Sequence, residues 1–332
     1  MAAAKWPRSV LEHVIDAHCH PTEARAVSAE SMERLEITVC AMSTYHGDQS
    51  LVRDLALQNP VKVIPCFGYH PWFSHLISLG TVTSKYEHYR HLFIGDDAEP
   101  SAEKVSAFEE LISLLPEPMS IDEVLEDLRH NFGLLSSTKT MLGEVGLDKD
   151  FRVAFDYRAS PRRLTPFTIP LKHQLLVLEA QLDLAVELRR SVSLHSVHCP
   201  QVTVDLLNKQ KSKHGQQWEI IRIDLHSCSM NPQVCAALQK KHKNIFMSLS
   251  TTINGRSSNL NALIAGCPSD RLLIESDYNH IDACTEKCIE ILTLVARVKG
   301  WPIEDEWLDK LDDGEWGVVR RLEANWRAFI NG

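Results

Sequence analysis

The chain has 332 residues, of which 35 are Lys or Arg and 44 are Asp or Glu, so its formal net charge is −9. Hydrophobic residues make up 44% and charged residues 24%, a composition that excludes disordered and collagen-like chains. The acidic balance argues against a protein that coats nucleic acid through a broad basic face, but not against one that acts on phosphates through bound metal. The count of sixteen histidines is unusually high, and their positions in the sequence indicate which of them could be functional.

The cysteines and the N-terminus indicate a compartment. Nine cysteines are scattered along the chain without a Cys-x-x-Cys pair, so we expect reduced, buried thiols instead of a disulfide framework or a zinc knuckle. The first residues lack the apolar run of a signal peptide, and no stretch approaches the about 20 apolar residues of a membrane span. We therefore expect a cytoplasmic or nuclear protein with no membrane association.

Eight short apolar runs rich in β-branched residues predict strands. They occupy residues 14–16, 37–43, 61–68, 140–146, 191–196, 220–226, 245–250 and 271–276. The runs are continuous, as in parallel strands that are covered on both faces. Helical spacing of apolar residues lies between most of them, at 171–190, 232–242, 285–299 and 316–330. This α/β alternation predicts a closed (β/α)₈ TIM barrel, with one domain over residues 1–332, and not an open doubly wound sheet.

Two segments interrupt the repeat and are predicted to be insertions. The first spans about 73–138 and contains two amphipathic helices, near 102–115 and 121–134. The second is predicted to be an irregular segment at about 150–170, and it carries four arginines, at positions 152, 158, 162 and 163. Both follow strand ends, so we expect them at the rim where barrels of this type hold their active sites. The arginines could clamp phosphates, or they could belong to a solvated charged loop.

Ionisable residues terminate most of the predicted strands. At the carboxyl ends stand His18 and His20, His70, Glu144, His195, His226 and Asp277. In a barrel these ends meet at one mouth, where such groups without a ligand would cost several kcal/mol of desolvation and repulsion. A bound cation removes that cost, so the pattern predicts a metal site.

The number and type of these residues suggest two ions. Alternate strand residues point to the same face, so His18 and His20 can reach one ion, although an isolated His-x-His pair often arises by chance. Four histidines and two carboxylates exceed the three protein ligands of a typical catalytic zinc. Two divalent ions about 3.5–4 Å apart that share one carboxylate account for the set better. Zn²⁺, Mg²⁺ and Mn²⁺ are the candidate metals.

The ordered set of motifs resembles the TatD family of metal-dependent hydrolases. The motifs are the opening His18-x-His20, the Gly-x-His-Pro at 68–71, the Gly-Glu-x-Gly-Leu-Asp at 143–148, the His-Ser at 195–196, the lone His226, the Glu-Ser-Asp at 275–277, and the terminal pair Asn325 and Phe329. The resemblance covers the chain from His18 to Asn325 apart from the two insertions. It implies the barrel and metal-dependent phosphodiester hydrolysis, commonly as a deoxyribonuclease. The long first insertion is similar to that of a fungal branch of the family.

The resemblance also implies roles for the residues at the strand ends. His18, His20 and Asp277 would hold the first ion, and His195 and His226 would hold the second. Glu144 would bridge the two ions as a catalytic ligand, and Asp277 would take the proton from the attacking water. The glycines at 143 and 146 support the bridging role, because they leave room for close approach.

One departure from the family pattern bears on substrate binding. Where the family has Arg and an acid after His-Ser, this chain has Val197 and His198, so an arginine that could bind phosphate is missing there. His198 could replace it as a donor, or it could be a surface histidine. The second change, Ser276 in place of Thr, keeps the hydroxyl.

The remaining candidate substrate contacts each have a packing alternative. His70 is expected to line the pocket and touch a phosphate or a leaving group, unless it only stabilises the turn at Pro71. Arg152 is a second candidate phosphate contact. Trp72 and Tyr278 flank the mouth in sequence and could stack a base, or they could simply pack at the rim.

The sequence thus predicts a two-metal phosphodiesterase of the TatD type, which cuts DNA from its ends or in short single strands. Two alternatives stay open. The first is a hydrolase with the same metal chemistry that acts on an ester, a lactone or an amide. The second is a barrel that acts mainly as a protein-binding module through the 73–138 insertion.

Overall fold

The computed structural model describes residues 6–23, 27–80, 84–95, 99–135 and 139–331. Residues 136–138, the predicted end of the first insertion, lie outside the described residues, as do residues 1–5 of the predicted domain. The described strands are β1 (Ile15–Cys19), β2 (Thr38–Met42), β3 (Val63–Phe67), β4 (Ile77–Ser78), β5 (Met119–Ser120), β6 (Met141–Asp148), β7 (Arg152–Ala154), β8 (Leu164–Thr168), β9 (Val192–Val197), β10 (Ile223–Leu225), β11 (Ile245–Leu249) and β12 (Leu272–Ile274).

Helices connect most of the strands. They are α1 (Arg8–Leu11), α2 (Ala29–Arg34), α3 (His46–Gln58), α4 (Lys85–Phe93), α5 (Ala102–Leu114), α6 (Ile121–Leu134), α7 (Leu171–Leu188), α8 (Pro200–His214), α9 (Gln216–Ile220), α10 (Pro232–Lys241), α11 (Thr251–Asn254), α12 (Leu260–Gly266), α13 (Ile281–Lys299) and α14 (Val318–Ile330). Two short 3₁₀ helices cover Pro71–Leu76 and Asp313–Glu315. None of the described helices is long and apolar enough to cross a membrane.

Eight parallel strands form the barrel. Their order in the sheet is β1-β2-β3-β6-β9-β10-β11-β12, so barrel strands that follow one another along the chain lie side by side. Beyond the last strand, the Asp277 N–H donates to the carbonyl of His18, and the His20 N–H donates to the carbonyl of Tyr278, both at 2.9 Å. These bonds join the end of β12 to β1. The predicted α/β barrel is confirmed.

The strand interiors explain why the runs are continuous in the sequence. All eight residues of β6 are buried, and so are all five of β3 and β11, because helices cover one face and the barrel interior covers the other. The residues at the carboxyl end of each strand thus lie at the mouth of the barrel. That arrangement positions the site.

Two local predictions were wrong. The sixth strand begins at Ile223 and not at residue 220, because residues 216–220 form the helix α9. Within the 150–170 segment, β7 and β8 pair as an antiparallel hairpin where an irregular loop was expected. The burial of β8 alternates residue by residue, which marks a strand with one face in solvent.

The two insertions pack against each other at the mouth. Tyr89 and Phe93 of α4 and Phe108 of α5 form a small buried core with Phe167 of β8, and the rings of Phe93 and Phe167 lie 5.2 Å apart. This layer brings the arginine-rich 150–170 segment against the first insertion.

Candidate metal centre and active-site cavity

Glu144, on β6, lies at the centre of the predicted ligand set. Its Oε2 lies 3.5 Å from Nε2 of His18 and 3.3 Å from Nε2 of His20. Its Oε1 lies 2.6 Å from Nδ1 of His195 and 2.8 Å from Nε2 of His226. Each carboxylate oxygen therefore faces one pair of imidazoles, and the two pairs are those predicted to hold separate ions.

Asp277 completes the set from the loop after β12. Its Oδ1 lies 3.6 Å from Nε2 of His20, and its Oδ2 accepts a hydrogen bond from the Ser227 hydroxyl at 3.2 Å. Asp277 has a φ of 46°, in the left-handed region that residues with a side chain rarely adopt. Such backbone conformations cost about 1–3 kcal/mol and cluster at functional sites, where the surroundings hold them.

Two glycines allow β6 to approach its neighbours. A Cβ placed on Gly146 would lie 2.6 Å from the Cβ of His195 on β9, and still closer to the His195 carbonyl oxygen. A Cβ on Gly143 would lie 2.9 Å from the sulfur of Met42 and 3.1 Å from the Cβ of Ser193. Larger residues at these positions would separate β6 from β9 and so move Glu144 away from His195.

A second layer of side chains orients two of the imidazoles. Nδ1 of His18 lies 2.7 Å from the Ser193 hydroxyl, and Nδ1 of His226 lies 3.3 Å from Oε1 of Glu275. With Nδ1 engaged, each ring turns Nε2 toward Glu144. Metal-ligating histidines in proteins commonly use such a partner on the other ring nitrogen, which fixes tautomer and orientation.

Asp148, at the end of β6, has the same function for His195. Its Oδ2 lies 3.4 Å from Nε2 of His195 and accepts a hydrogen bond from the indole N–H of Trp72 at 2.6 Å. Burial opposes ionisation of this carboxyl, but the hydrogen bonds with His195 and Trp72 outweigh it and lower the pKa of Asp148 to about 2. Sequence reasoning did not name Asp148 or Glu275 as site residues, although both stand in the quoted motifs, which were the available signal.

The electrostatics of the cluster suit a cation. Burial would raise the pKa of Glu144, but the surrounding imidazoles hold it well below its ordinary value. Burial also disfavours protonation of His20, yet the neighbouring Glu144 carboxylate raises the pKa of His20 to about 10. His226 likewise has a pKa well above its ordinary value, since Glu144 and Glu275 outweigh burial. The carboxylates thus demand positive charge, which protons or divalent ions can supply, and the nitrogen and oxygen donors fit such ions.

Three groups of donor atoms in the described chain have the spacing for an ion at this mouth. They are His18 with His20 and Glu144, His70 with Glu144 and His195, and His18 with His226 and Glu275. The first supports the predicted first ion. The other two share residues with it, and none of the three contains both His195 and His226, the pair predicted for the second ion.

His70, on the loop after β3, has the geometry of a hydrogen-bond donor. Its Nδ1 accepts the backbone N–H of Trp72 at 3.2 Å, so the proton of the neutral ring is on Nε2. That Nε2 lies 3.3 Å from Oε1 of Glu144. Burial lowers the pKa of His70 to about 4, which keeps the ring neutral at pH 7. A protonated Nε2 donates and does not ligate, so His70 is better suited to contact an oxygen than a metal.

The cluster opens into a cavity of about 510 Å³ at the mouth of the barrel. Its lining includes His70, Trp72, Asp277 and Tyr278 together with the other predicted ligands except His18, which lies deeper. The indole of Trp72 stacks on Phe151 with ring centroids 4.9 Å apart, which places an aromatic surface beside the predicted metal ligands.

The family follows from comparison of the whole sequence. The profile of TatD related DNase matches residues 15–305. The chain belongs to this family. As a TatD-family protein it is a metal-dependent hydrolase of the deoxyribonuclease family, and the resemblance of the motifs is confirmed.

Relatives of similar length match nearly the whole chain. A protein of Schizosaccharomyces pombe named Cut9-interacting protein scn1 is 31% identical over 96% of this chain and 99% of its own. An uncharacterized deoxyribonuclease of Saccharomyces cerevisiae is 28% identical over 96% of this chain and all of its own. Among solved structures, a TatD homolog from Escherichia coli superposes with a TM-score of 0.60 at 18% identity, covering 97% of this chain and 99% of that one. This last likeness shows the fold.

Two predicted substrate contacts lie outside the TatD-type cavity. His198 has a φ of 53° and an exposed ring whose Nδ1 pairs with the carboxylate of Asp150. Arg152, on β7, donates from its guanidinium to the carbonyl of Thr165 at 2.7 Å. Their roles in substrate binding stay predictions. Where the TatD family has an arginine after His-Ser, the cavity is lined by Val197.

Proposed function

We propose that the protein is a two-metal phosphodiesterase that cuts DNA from its ends or in short single strands. The observation that carries this proposal is the position of Glu144, whose two oxygens face two separate pairs of imidazoles. A carboxylate in that position is what a two-ion centre requires. The family of the chain supports a nucleic-acid substrate.

The side chains divide between the two ions. The first ion would be held by His18, His20 and Asp277, and the second by His195 and His226. Glu144 would bind both ions. Zn²⁺, Mg²⁺ or Mn²⁺ held by these residues would lower the pKa of a bound water toward 7 and would neutralise charge on phosphoryl oxygens.

The remaining steps use the chain's own groups. Asp277 lines the cavity, and its carboxylate accepts the proton of the attacking water. The protonated Nε2 of His70 donates to a phosphoryl or leaving-group oxygen. Trp72 and Tyr278 line the same cavity and offer rings on which a base can stack.

Metal content and hydrolysis should be measured together on the purified protein. We expect bound divalent metal and cleavage of a short single-stranded DNA, with Glu144→Ala losing both and Asp277→Asn losing cleavage. Asp205→Asn, an exposed carboxylate on α8, is the matched control and should behave as the native chain. Absence of bound metal would contradict the proposal. Bound metal with cleavage of small esters, lactones or amides, but not of phosphodiesters, would favour the first alternative.

A second function, partner binding through the first insertion, has its own observation. The S. pombe relative is named for an interaction with Cut9, and the insertion here exposes apolar side chains. Tyr86, Val105, Leu114 and Leu134 are between 41% and 57% exposed. We propose that the first insertion binds a Cut9-type protein. Titration calorimetry with that protein should show binding that Leu114→Glu abolishes while DNA cleavage stays unchanged; no binding by the native chain would refute it.

The location in the cell stays a prediction. All nine cysteines are free and buried, which is the state expected in the reducing cytoplasm or nucleus.

A further inference from the structure

A second cavity, of about 740 Å³, adjoins the metal cavity. The two share Glu23, Thr44 and Asn279 in their linings, so they are continuous. The second cavity, here called the arginine groove, lies between the start of α3 and the 150–170 segment. Its lining includes Tyr45, Asp48, Tyr157, Arg158 and Arg162. No step of the proposed function uses it.

The structure separates the four arginines of the 150–170 segment into two pairs. Arg163 pairs with the carboxylate of Glu110 on α5, and Arg152 is bound to the carbonyl of Thr165. Arg158 and Arg162 line the groove, are exposed, and form no ion pair within 4 Å of any carboxylate among the described residues. Two of the four guanidinium groups are thus available to a ligand.

Aromatic rings hold these two guanidinium groups. Arg158 donates to the Tyr45 hydroxyl, and the guanidinium carbon of Arg162 lies 4.0 Å from the centroid of the Tyr157 ring. Guanidinium groups stacked on or bound to rings keep their planar donor fork, which matches phosphate oxygens. The groove therefore offers fixed phosphate donors.

The same rings connect the groove to the metal cavity. Phe73 lines the metal cavity and lies 4.9 Å, centroid to centroid, from both Tyr45 and Tyr157. An aromatic wall thus continues from one cavity into the other. Alternating rings and guanidinium groups are the surface that single-stranded nucleic acids bind, because bases stack and phosphates pair.

The lining of the groove also contains two carboxylates, Asp48 and Glu23. Asp48 accepts the backbone N–H groups of Thr44 and Tyr45 at 3.0 and 3.2 Å. Oε1 of Glu23 lies 3.8 Å from Nδ1 of His20. Asp48 therefore has hydrogen-bond partners in the protein. Burial raises the pKa of Glu23 and the nearby Arg162 opposes that rise, but neither arginine of the groove forms an ion pair within 4 Å among the described residues.

We propose that the arginine groove binds the part of a single-stranded DNA that extends beyond the scissile phosphate. Arg158 and Arg162 pair with backbone phosphates, and Tyr45 and Tyr157 support the bases. This inference rests on the proposed function, since it assigns the substrate of the same site as a strand several nucleotides long. It also supplies the phosphate-binding arginines that are missing after His195-Ser196.

The test compares Arg158→Gln/Arg162→Gln with Arg163→Gln, the matched control. Two substrates are used: bis(p-nitrophenyl) phosphate, a minimal diester, and a fluorescein-labelled single strand of eight nucleotides. The double variant should raise KM for the strand about tenfold or more, because two charge-assisted contacts are lost. Its kcat on the strand and its kinetics on the minimal diester should stay unchanged, and Arg163→Gln should match the native chain.

A salt titration of strand binding, followed by fluorescence anisotropy in the Asp277→Asn background, adds a readout that a purely structural role would not change. Each phosphate contact on a single strand contributes about −0.7 to the slope of log K against log salt. The double variant should therefore have a slope smaller in magnitude by about 1.4. An unchanged slope, or native KM for the strand, would overturn the inference while the proposed function stands.

Failure of the proposed function would look different. If the native protein cleaves neither substrate, the proposal that it is a phosphodiesterase is refuted. The anisotropy titration would still test whether the arginine groove binds single-stranded DNA. Equal strand binding by the native chain and the double variant, or no binding by either, would overturn that inference.

Discussion

Replacement of Gly146 by Ala tests whether close contact between β6 and β9 builds the metal centre. The added Cβ would lie 2.6 Å from the Cβ of His195 and closer still to the His195 carbonyl oxygen, where ordinary contact begins at 3.4 Å, so well over 0.8 Å must open between the strands. That shift would break the 2.6 Å contact between His195 Nδ1 and Glu144 Oε1. Overpacking of this kind costs about 1–3 kcal/mol. For a chain of this length it should lower Tm by roughly 1–4 °C.

The functional cost should exceed the cost in stability. A misplacement of about 1 Å near a reacting centre lowers rates by about 100-fold. We expect Gly146→Ala to remain folded by circular dichroism and to lose about 100-fold in kcat/KM on single-stranded DNA, with weaker metal binding by titration calorimetry. Gly133→Ala is the control, since its Cβ would meet nothing within 4 Å on α6. That control should keep full activity and gain about 0.4–1 kcal/mol. Native metal affinity and native activity in Gly146→Ala would refute the reasoning.

Three further predictions concern the partners and protons of the ligands. Ser193→Ala removes the hydroxyl 2.7 Å from Nδ1 of His18, and metal affinity measured by calorimetry should fall about 10–100-fold. Trp72→Phe removes the N–H that Asp148 accepts at 2.6 Å, so the free energy of unfolding should fall by about 1.5–3 kcal/mol in urea titrations, with weaker metal binding. The pKa of His20 is raised to about 10, so metal binding should release protons and strengthen as pH rises from 7 toward 10. In EDTA-treated protein the stability from this raised pKa is present below about 6.5 and is lost as pH rises through about 10.

Control variants separate these effects from general destabilisation. Ser191→Ala, on the approach to β9, removes a hydroxyl that donates to the Phe329 carbonyl, so stability should fall without loss of metal affinity. Trp316→Phe removes an indole N–H bonded to the Leu311 carbonyl and should leave metal binding unchanged. Equal losses of metal affinity in these controls would contradict the predictions for Ser193→Ala and Trp72→Phe. The prediction of proton release would be contradicted if the calorimetric heat of metal binding does not depend on the ionisation enthalpy of the buffer.

The barrel could be predicted because its signal is local. Buried parallel strands read as continuous apolar runs, and their ends carry the ionisable residues, so His18, Glu144 and Asp277 stand out in the sequence. The hairpin of β7 and β8 has no such signal. Its strand β8 contains Pro166 and has one face in solvent, so its pattern resembles a loop.

The partners of the ligands could not be predicted because they come from distant parts of the chain. Ser193 lies 175 residues from His18, and Trp72 lies 76 residues from Asp148. Only the barrel register decides that these side chains meet. The same holds for the arginines, since the contacts of Arg163 with Glu110 and of Arg158 with Tyr45 depend on how the insertions pack.

The metal stoichiometry of the native chain and of Glu144→Ala, measured by plasma mass spectrometry after equilibrium dialysis, tests the central claim most directly. We expect two divalent ions per native chain and the loss of at least one in the variant, because each Glu144 oxygen faces its own pair of imidazoles. A single ion in the native chain, or the same two ions with unchanged affinity in Glu144→Ala, would contradict it.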